Sequence, residues 1–268
     1  MDKKEVLKDI KLFVLDLDGT FYLGEDILPG SLSFLEAVRQ TKREYMFFTN
    51  NSSKDKKLYI EKLARMGCNI EEKDILTSGD VTVRYLNTYH RGASVYLLGT
   101  PPLEKSFAEG GIRLVNGTDE VPQIVVLAFD MTLTYEKLER ACTYIRNGAT
   151  YIATHPDINC PVPGGFIPDC GAMIACVNLS TGKKPKILGK PYAETMQMIL
   201  SYAGLKKEEI AFVGDRLYTD VATGVNNGAK GLLVLSGETK EEDIAGSDVK
   251  PDGVYLDLKE IGDLLKAL

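Results

Sequence analysis

Short apolar runs recur along the whole chain, and each is followed by turn residues and then by a helix-like segment. The runs that we predict to be buried strands are Leu12–Leu15, Tyr45–Phe48, Val95–Leu98, Ile124–Ala128, Tyr151–Ala153, Ala211–Val213 and Leu232–Leu235. Alternation of strand and helix is typical of an α/β fold with a parallel sheet, in which ligands bind at the carboxyl ends of the strands. We therefore expect the functional residues to follow the strands directly.

The segments between the strands carry helix and loop signals. Ser53 is expected to cap a helix that runs toward Met66, and Thr134 is expected to cap another helix. The stretch 161–171 is rich in Gly and Pro and is predicted to be a lid loop, and the polar stretch 180–186 is predicted to be a linker.

The length predicts more than one folding unit. A chain of 268 residues corresponds to roughly two domains, or to one domain with a large insertion. Between the strand end near Ser78 and Lys190 lie about a hundred residues with strands and helices of their own, which is too many for a crossover connection. We predict a core formed by residues 1–79 and 183–268, with residues 80–182 inserted as a second domain.

Charge and cysteine content limit the partners and the cellular environment that we expect for this chain. The chain has 32 Lys and Arg against 38 Asp and Glu, a net charge of −6, which disfavours binding to nucleic acid or to an anionic membrane surface. Its five cysteines include no C-x-x-C pair, which predicts reduced thiols. Neither a signal peptide nor a membrane span is expected. We therefore expect a cytoplasmic protein that binds a small molecule, and we leave a homodimer open.

The strongest motif follows the first predicted strand. The sequence DLDGT at 16–20 places Asp16 and Asp18 where a parallel sheet presents its functional edge. An EF-hand calcium loop counted from Asp16 would need Gly at its sixth position and Glu at its twelfth, where this chain has Phe21 and Ile27. A polar surface turn remains the alternative to a catalytic site.

Three further segments carry groups that could bind an anion or a metal. Residues 49–53, with the sequence TNNSS, offer hydroxyl, amide and main-chain N–H donors after the second strand, although they could be a helix cap and nothing more. The sequence GKP at 189–191 and the sequence GDRLYTD at 214–220 also follow apolar runs or adjoin helices. Taken alone, Lys190 could be a solvated lysine and Asp220 a helix cap.

In this order, the four segments resemble the haloacid dehalogenase superfamily of phosphohydrolases. The shared motifs are D-x-D-G-T at 16–20, Thr-Asn at 49–50, Lys190 and G-D-x₄-D at 214–220. The sequences TNNS, GKP and GDxxxTD also look like the branch, subfamily IIA, that contains NagD-type nucleotide phosphatases and p-nitrophenyl phosphatases. The resemblance covers nearly the whole chain. It implies a Rossmann-like parallel-sheet core with an inserted α/β cap of type C2, and it implies phosphatase activity.

The resemblance also implies a role for each motif residue. It assigns catalysis to Asp16, Asp18 and Lys190, Mg²⁺ binding to Asp16, Asp18 and Asp215, phosphate or substrate binding to Thr49, Asn50, Lys190, Arg216, Leu217, Tyr218 and Thr219, and orientation of Lys190 or of a metal-bound water to Asp220. Asp16 would be the nucleophile, and Asp18 would transfer protons to the leaving alcohol and from the attacking water. An anionic nucleophile must approach an anionic phosphate, so a divalent cation and a lysine are needed to offset the repulsion.

The sequence therefore predicts a Mg²⁺-dependent phosphomonoesterase that hydrolyses small phosphorylated metabolites, nucleoside monophosphates or sugar phosphates, through an aspartyl-phosphate. Two alternatives remain: a phosphotransferase or phosphomutase of the same superfamily, and a non-catalytic switch module that is phosphorylated on Asp.

One residue departs from the pattern of the resembled branch. His155 stands where relatives often carry Asn, and its role is left open. Its spacing from Cys160, Cys170 and Cys176 matches no structural zinc pattern.

Overall fold

The computed structural model describes residues 3–162 and 164–268. Its strands are β1 (Leu12–Leu15), β2 (Tyr22–Leu23), β3 (Asp26–Ile27), β4 (Glu44–Thr49), β5 (Ile75–Thr77), β6 (Ser94–Leu98), β7 (Arg113–Leu114), β8 (Ile124–Leu127), β9 (Thr150–Ala153), β10 (Asn159–Val162), β11 (Gly165–Pro168), β12 (Lys186–Ile187), β13 (Ile210–Gly214), β14 (Lys230–Val234) and β15 (Gly253–Tyr255). Its α-helices are α1 (Lys3–Leu7), α2 (Ser31–Gln40), α3 (Lys56–Arg65), α4 (Ser78–Tyr89), α5 (Pro101–Glu109), α6 (Tyr135–Arg146), α7 (Cys170–Thr181), α8 (Ala193–Ala203), α9 (Ala222–Asn227), α10 (Asp243–Gly246) and α11 (Leu258–Lys266). Every strand predicted from the sequence is present, with bounds that differ by at most two residues.

The chain divides into two compact units. The first unit contains Met1–Thr49, Ile60–Leu76 and Lys190–Leu268, and the second contains Asn50–Tyr59 and Thr77–Gly189. The assignment of a catalytic core and a cap to particular residues stays a prediction.

The first unit contains a six-stranded sheet with the order β15-β14-β13-β1-β4-β5. The central strand β1 pairs in parallel with β13 and with β4, so Leu12 lies opposite both Ile210 and Glu44. All of β1 is buried, as expected for a continuous apolar run covered on both faces. On one side of the sheet α2 packs against α11, and the ring of Phe34 lies edge-on to that of Phe13 at 5.5 Å. The carboxyl ends of β1, β4 and β13 therefore meet at one edge of this sheet.

The second unit contains a five-stranded sheet with the order β12-β9-β8-β6-β7. Every neighbouring pair in this sheet is parallel. Its apolar core joins Val125 of β8 to Ile145 of α6 and Val177 of α7, all of them buried. The strands β10 and β11 form a separate antiparallel hairpin in which Cys160 lies opposite Ile167. Two parallel sheets covered by helices confirm the predicted α/β fold class.

The prediction that Ser53 caps a helix is wrong. The helix α3 begins at Lys56, and Asp55 Oδ1 accepts a hydrogen bond from the N–H of Leu58 at 3.0 Å. The Ser53 hydroxyl instead donates to Asn51 Oδ1 at 2.6 Å. Asp55 takes the capping position because the Ser53 side chain is already engaged within its own loop.

Two other local predictions have opposite outcomes. Thr134 caps α6 as predicted, because its hydroxyl oxygen accepts from the N–H of Lys137 at 3.2 Å. The stretch 161–171, in which residue 163 lies outside the described residues, is not an open loop: its described residues include the end of β10, all of β11 and the start of α7 at Cys170. A hairpin is compatible with this composition because proline is tolerated in edge strands and Gly164, with φ of 87°, supplies a turn conformation.

Among the described residues, no helix is both long enough and apolar enough to cross a membrane.

Candidate active site

Asp16 is the first residue after β1, at the carboxyl edge of the six-stranded sheet. Its main-chain N–H donates to the carbonyl of Val213 at 2.9 Å, which ties it to β13. Its Oδ1 lies 2.6 Å from Lys190 Nζ. Burial raises the pKa of the Asp16 carboxyl and Lys190 lowers it in part. The neighbouring carboxylates of Asp220 and Asp215 raise it again, so the pKa of Asp16 lies well above its usual value.

Lys190 joins two of the acidic side chains. Its ammonium group donates to Asp16 Oδ1 and to Asp220 Oδ1, each at 2.6 Å, and to the main-chain carbonyl of Phe48 at 3.2 Å. Lys190 is almost fully buried. Burial alone would lower the pKa of Lys190, but Asp16 and Asp220 outweigh it, and the pKa is raised. The lysine therefore carries its positive charge into the site.

Asp215 and Asp220 complete an acidic cluster. Asp215 directly follows β13, and Asp220 lies in a π-helical turn, Leu217–Val221, a local geometry that is frequent at functional sites. One carboxylate oxygen from each of Asp16, Asp215 and Asp220 lies within 4.8 Å of the others. Burial and the nearby Asp220 raise the pKa of Asp215 to about 7, against the lowering effect of a hydrogen bond from the N–H of Glu238.

Glycines surround these carboxylates because there is no room for larger side chains. A Cβ atom at Gly19 or at Gly237 would overlap the carboxylate of Asp215, and a Cβ atom at Gly214 would overlap that of Asp220. Gly19 also has a φ of 84°, a left-handed conformation that favours glycine. The two aspartates are thus held in place by close contact as well as by hydrogen bonds.

This arrangement suits two kinds of chemistry. Oxygen atoms from carboxylates are the ligands of hard divalent cations. A carboxylate can also act as a covalent nucleophile, and the adjacent ammonium group reduces the electrostatic cost of bringing an anionic substrate to it.

Comparison with known proteins identifies the family. Two family models match, one described as haloacid dehalogenase-like hydrolase over residues 13–113 and one as HAD-hydrolase-like over residues 187–261. The chain is 37% identical to an acid sugar phosphatase of Staphylococcus aureus over 95% of this chain and 97% of that relative. The chain belongs to the haloacid dehalogenase-like hydrolases.

Solved structures indicate to which branch of the haloacid dehalogenase-like hydrolases the chain belongs. The crystal structure of 4-nitrophenylphosphatase from Thermotoga maritima superposes with a TM-score of 0.91 at 45% identity, over 96% of this chain and 98% of that one. NagD from Escherichia coli K-12 superposes with a TM-score of 0.85 at 28% identity, over 94% and 98%. The predicted membership of the NagD-like branch is confirmed, and the protein is a phosphatase, as predicted.

Four of the predicted site residues meet in one cluster: Asp16, Lys190, Asp215 and Asp220. Asp18 accepts a hydrogen bond at Oδ2 from the Tyr22 hydroxyl at 3.3 Å. Thr49 is the last residue of β4 and is buried. Asn50 belongs to the second unit, where its side-chain amide donates to Asp157 Oδ2 at 2.7 Å. The catalytic and binding roles of these residues stay predictions.

The four residues of the predicted substrate-binding segment, 216–219, differ in their burial and contacts. Arg216 Nε lies 2.8 Å from Glu238 Oε2. Leu217 packs into a small apolar cluster of the core, Thr219 is buried, and Tyr218 is 47% exposed. Tyr218 is therefore the member of this segment whose side chain is most accessible to a ligand. Substrate binding by the segment stays a prediction.

The sequence analysis did not predict the role of the loop 236–239, which lies outside the motifs and holds Asp215 in place. The Glu238 N–H donates to Asp215 Oδ2 at 2.7 Å, and the Thr239 N–H donates to the Asp215 carbonyl at 3.2 Å. The Ser236 hydroxyl donates to the Gly19 carbonyl at 2.8 Å. The signal was present, because this loop follows the last predicted strand and strand ends are where functional residues are expected.

Proposed function

We propose that this phosphatase is a Mg²⁺-dependent phosphomonoesterase that hydrolyses small phosphate esters, sugar phosphates in particular, through an aspartyl-phosphate on Asp16. The observation that carries this proposal is the buried contact of Lys190 with both Asp16 and Asp220, with Asp215 close to both carboxylates. An acidic cluster that only stabilised the fold would not need three carboxylates within 4.8 Å of one another, because burying like charges together costs free energy.

In the first half of the reaction, an Asp16 carboxylate oxygen attacks phosphorus and the bond from phosphorus to the ester oxygen breaks. Asp18 gives a proton to the departing oxygen, so that a neutral alcohol leaves. Lys190 reduces the repulsion between the anionic nucleophile and the anionic phosphoryl group.

In the second half, a water molecule attacks the phosphorus of the aspartyl-phosphate. Asp18, now ionised, accepts a proton from that water, and the bond between phosphorus and Asp16 breaks to release inorganic phosphate. Both aspartates return to their starting states, so the cycle needs no other reactant. Asp220 keeps Lys190 oriented through their 2.6 Å contact.

The donor set fits Mg²⁺. The cluster offers only oxygen atoms, and the pKa of Asp215, raised to about 7, reflects carboxylate charges that burial leaves poorly compensated. We assign Mg²⁺ binding to the carboxylates of Asp16 and Asp215 and to the main-chain carbonyl of Asp18. When bound, the ion would lower the repulsion between the nucleophile and the phosphoryl group.

Relatives support small monoesters as substrates. One is named an acid sugar phosphatase and another a 4-nitrophenylphosphatase. The net charge of −6 also disfavours polyanionic substrates such as nucleic acid. Sugar phosphates are therefore the first substrates to test, and nucleoside monophosphates the second.

We expect the purified protein to release inorganic phosphate from p-nitrophenyl phosphate and from members of a sugar phosphate panel when Mg²⁺ is present. Removal of the ion with EDTA should lower the rate at least about 100-fold, and added Mg²⁺ should restore it. Phosphate release is measured by a colorimetric assay, with a phosphodiester as the negative control. Turnover that persists in EDTA would contradict the metal requirement, and no turnover on any monoester would contradict the function.

The same assay separates the two alternatives. A phosphotransferase or phosphomutase would transfer the group to a second alcohol, so phosphate release would fall short of substrate consumption. A switch module would become phosphorylated once and would show no sustained turnover. Equal amounts of alcohol and inorganic phosphate over many turnovers support the hydrolase.

Gly237→Ala is expected to weaken Mg²⁺ binding about 10- to 100-fold, as is typical when the support of a metal ligand is disturbed. The new methyl group would overlap the carboxylate of Asp215, so that carboxylate must move. Gly246→Ala is the matched control, because nothing lies within 4 Å of a Cβ at that position. Titration calorimetry measures Mg²⁺ affinity without substrate. Equal affinity in both variants would show that Asp215 is not a metal ligand.

A further inference from the structure

A buried polar network in the second unit includes three ionisable groups that the proposed mechanism does not use, His155, Asp157 and Asp169. The members of the network share almost complete burial: Asn50, Ser52, Ser78, Thr154, His155, Asp157 and Asp169. Buried polar groups cost free energy unless each is hydrogen-bonded, so such a network specifies one arrangement of the chain segments that it joins.

The imidazole of His155 bridges two sides of this network. Its Nε2 lies 2.9 Å from Asp169 Oδ1, and its Nδ1 lies 2.8 Å from the Thr154 hydroxyl. A hydrogen on Nε2 satisfies the carboxylate, which leaves the other ring nitrogen for the hydroxyl. Asp169 Oδ1 also accepts from the N–H of Cys170 as the N-cap of α7. The ring is therefore fixed in position and orientation.

The residues on either side of His155 hold the loop that begins at Asn50. Thr154 Oγ1 lies 3.1 Å from Ser52 Oγ. Asp157 Oδ2 accepts from the Asn50 side-chain amide at 2.7 Å. Residues 154–157 are thus hydrogen-bonded to residues 50–52 at two places, and His155 lies in the sequence between the two residues that make these bonds.

Ser78 adds a third connection. Its hydroxyl donates to the main-chain carbonyl of Asn50 and lies 3.5 Å from His155 Nδ1. The main chain of Asn50 is therefore fixed by a side chain that is itself packed against the imidazole.

Main-chain hydrogen bonds from the start of α7 also hold the segment that follows His155. The N–H of Asp169 donates to the Ile158 carbonyl at 2.9 Å, and the N–H of Gly171 donates to the Asp157 carbonyl at 2.7 Å. A Cβ atom at Gly171 would overlap the carbonyl of Pro156. This contact leaves the chain between His155 and Asp157 no freedom to shift toward the helix.

We propose that His155 and Asp169 are positioning residues that fix the main chain of Asn50 for binding the phosphoryl group. This inference rests on the proposed function and on the phosphate-binding role that the family resemblance implies for Asn50. The pair acts through Asp157, Ser78 and the loop at 50–52, and it does not touch substrate. Displacement of a binding group by about 1 Å can cost up to about 100-fold in rate.

The test compares His155→Leu, Asp169→Asn and the double variant. His155→Leu removes both ring nitrogens and leaves a buried carboxylate without that partner. Asp169→Asn removes the charge and keeps a residue that caps helices well. Ser94→Ala is the matched control, since Ser94 is a buried hydroxyl at the opposite, amino-terminal end of the same sheet. Steady-state kinetics on p-nitrophenyl phosphate give kcat and KM, and product inhibition gives the Ki of inorganic phosphate.

For His155→Leu we expect KM and the Ki of inorganic phosphate to rise together by about 10-fold or more, and kcat/KM to fall about 10- to 100-fold. Asp169→Asn should change the same constants in the same direction by a smaller factor. The double variant should be less impaired than the product of the single effects predicts, because the single changes remove the same contact. Ser94→Ala should lower thermal stability without changing the Ki.

The outcomes separate the positioning role from the proposed function. An active wild-type protein with an unchanged Ki in both single variants would overturn the positioning role alone. A wild-type protein without turnover would overturn the proposed function and this inference with it. If His155→Leu does not fold, the Ki of Asp169→Asn decides in the same way.

Discussion

Replacing Asp16 with Asn is expected to lower kcat by about 10⁴- to 10⁶-fold, the range found when a covalent nucleophile is removed. The amide has the shape of the carboxylate but cannot form an acyl phosphate. The hydrolysis of phosphate monoesters has one of the highest uncatalysed barriers, so the remaining groups cannot replace covalent catalysis. Rates are measured with p-nitrophenyl phosphate at saturating Mg²⁺.

Asp16→Asn is expected to leave the protein folded. Burial raises the pKa of Asp16, which means that the folded state disfavours the charged carboxylate, and Lys190 keeps its second partner, Asp220. Circular dichroism and a thermal unfolding curve check this. Asp26→Asn is the matched control, because Asp26 is an exposed carboxylate in the same unit and its replacement should leave kcat unchanged. A folded Asp16→Asn protein with kcat within tenfold of the wild type would show that Asp16 is not the nucleophile.

Replacing Asp18 with Asn is expected to lower kcat for a sugar phosphate by about 10²- to 10⁴-fold, the usual contribution of a general acid or base. A sugar alcohol must be protonated as it leaves, and the Asn side chain cannot give that proton. The rate of the first step should fall less for p-nitrophenyl phosphate than for a sugar phosphate, because nitrophenolate leaves readily as an anion. The measurement compares kcat for the two substrates in the wild type and in the variant.

The second half of the reaction gives Asp18→Asn a distinct signature. Without a base to activate water, the aspartyl-phosphate should accumulate, and p-nitrophenyl phosphate should produce a burst of nitrophenolate followed by slow turnover. Mass spectrometry of the quenched protein should detect a phosphate group on Asp16. If Asp18→Asn affects both substrates equally and shows no burst, Asp18 does not transfer protons in both steps. A variant with full turnover would favour a purely structural role for the Asp18 carboxylate.

The acidic cluster could be anticipated from the sequence because each of its members follows a predicted strand or adjoins a helix. Asp16 and Asp215 follow β1 and β13, which are neighbours in the sheet, so their proximity follows from parallel topology. Lys190 could be assigned to the site only from the sequence GKP around it, because its distance from Asp16 depends on how a segment far away in the chain folds back. The sequence pattern identified the groups, and the structure supplied the distances.

Other features of the fold depend on which of several neighbouring groups forms a hydrogen bond or pairs with a strand, and a sequence pattern does not show this. Ser53 has the residue type of a helix cap, but Asn51 engages its hydroxyl and Asp55 caps the helix. The stretch 161–171 has the composition of a loop, but most of its described residues belong to the paired strands β10 and β11 or to the start of α7. The contact of His155 with Asp169 joins residues whose relation becomes visible only once α7 is in place.

The central position of β1 has a consequence for synthesis on the ribosome. One edge of β1 pairs with β4, which is translated soon afterwards, but its other edge pairs with β13, which emerges only after most of the chain has been made. Until then the nascent polypeptide exposes an apolar strand with unsatisfied main-chain groups, the kind of surface that promotes aggregation. Shielding by chaperones during translation would therefore matter most between the emergence of β1 and that of β13.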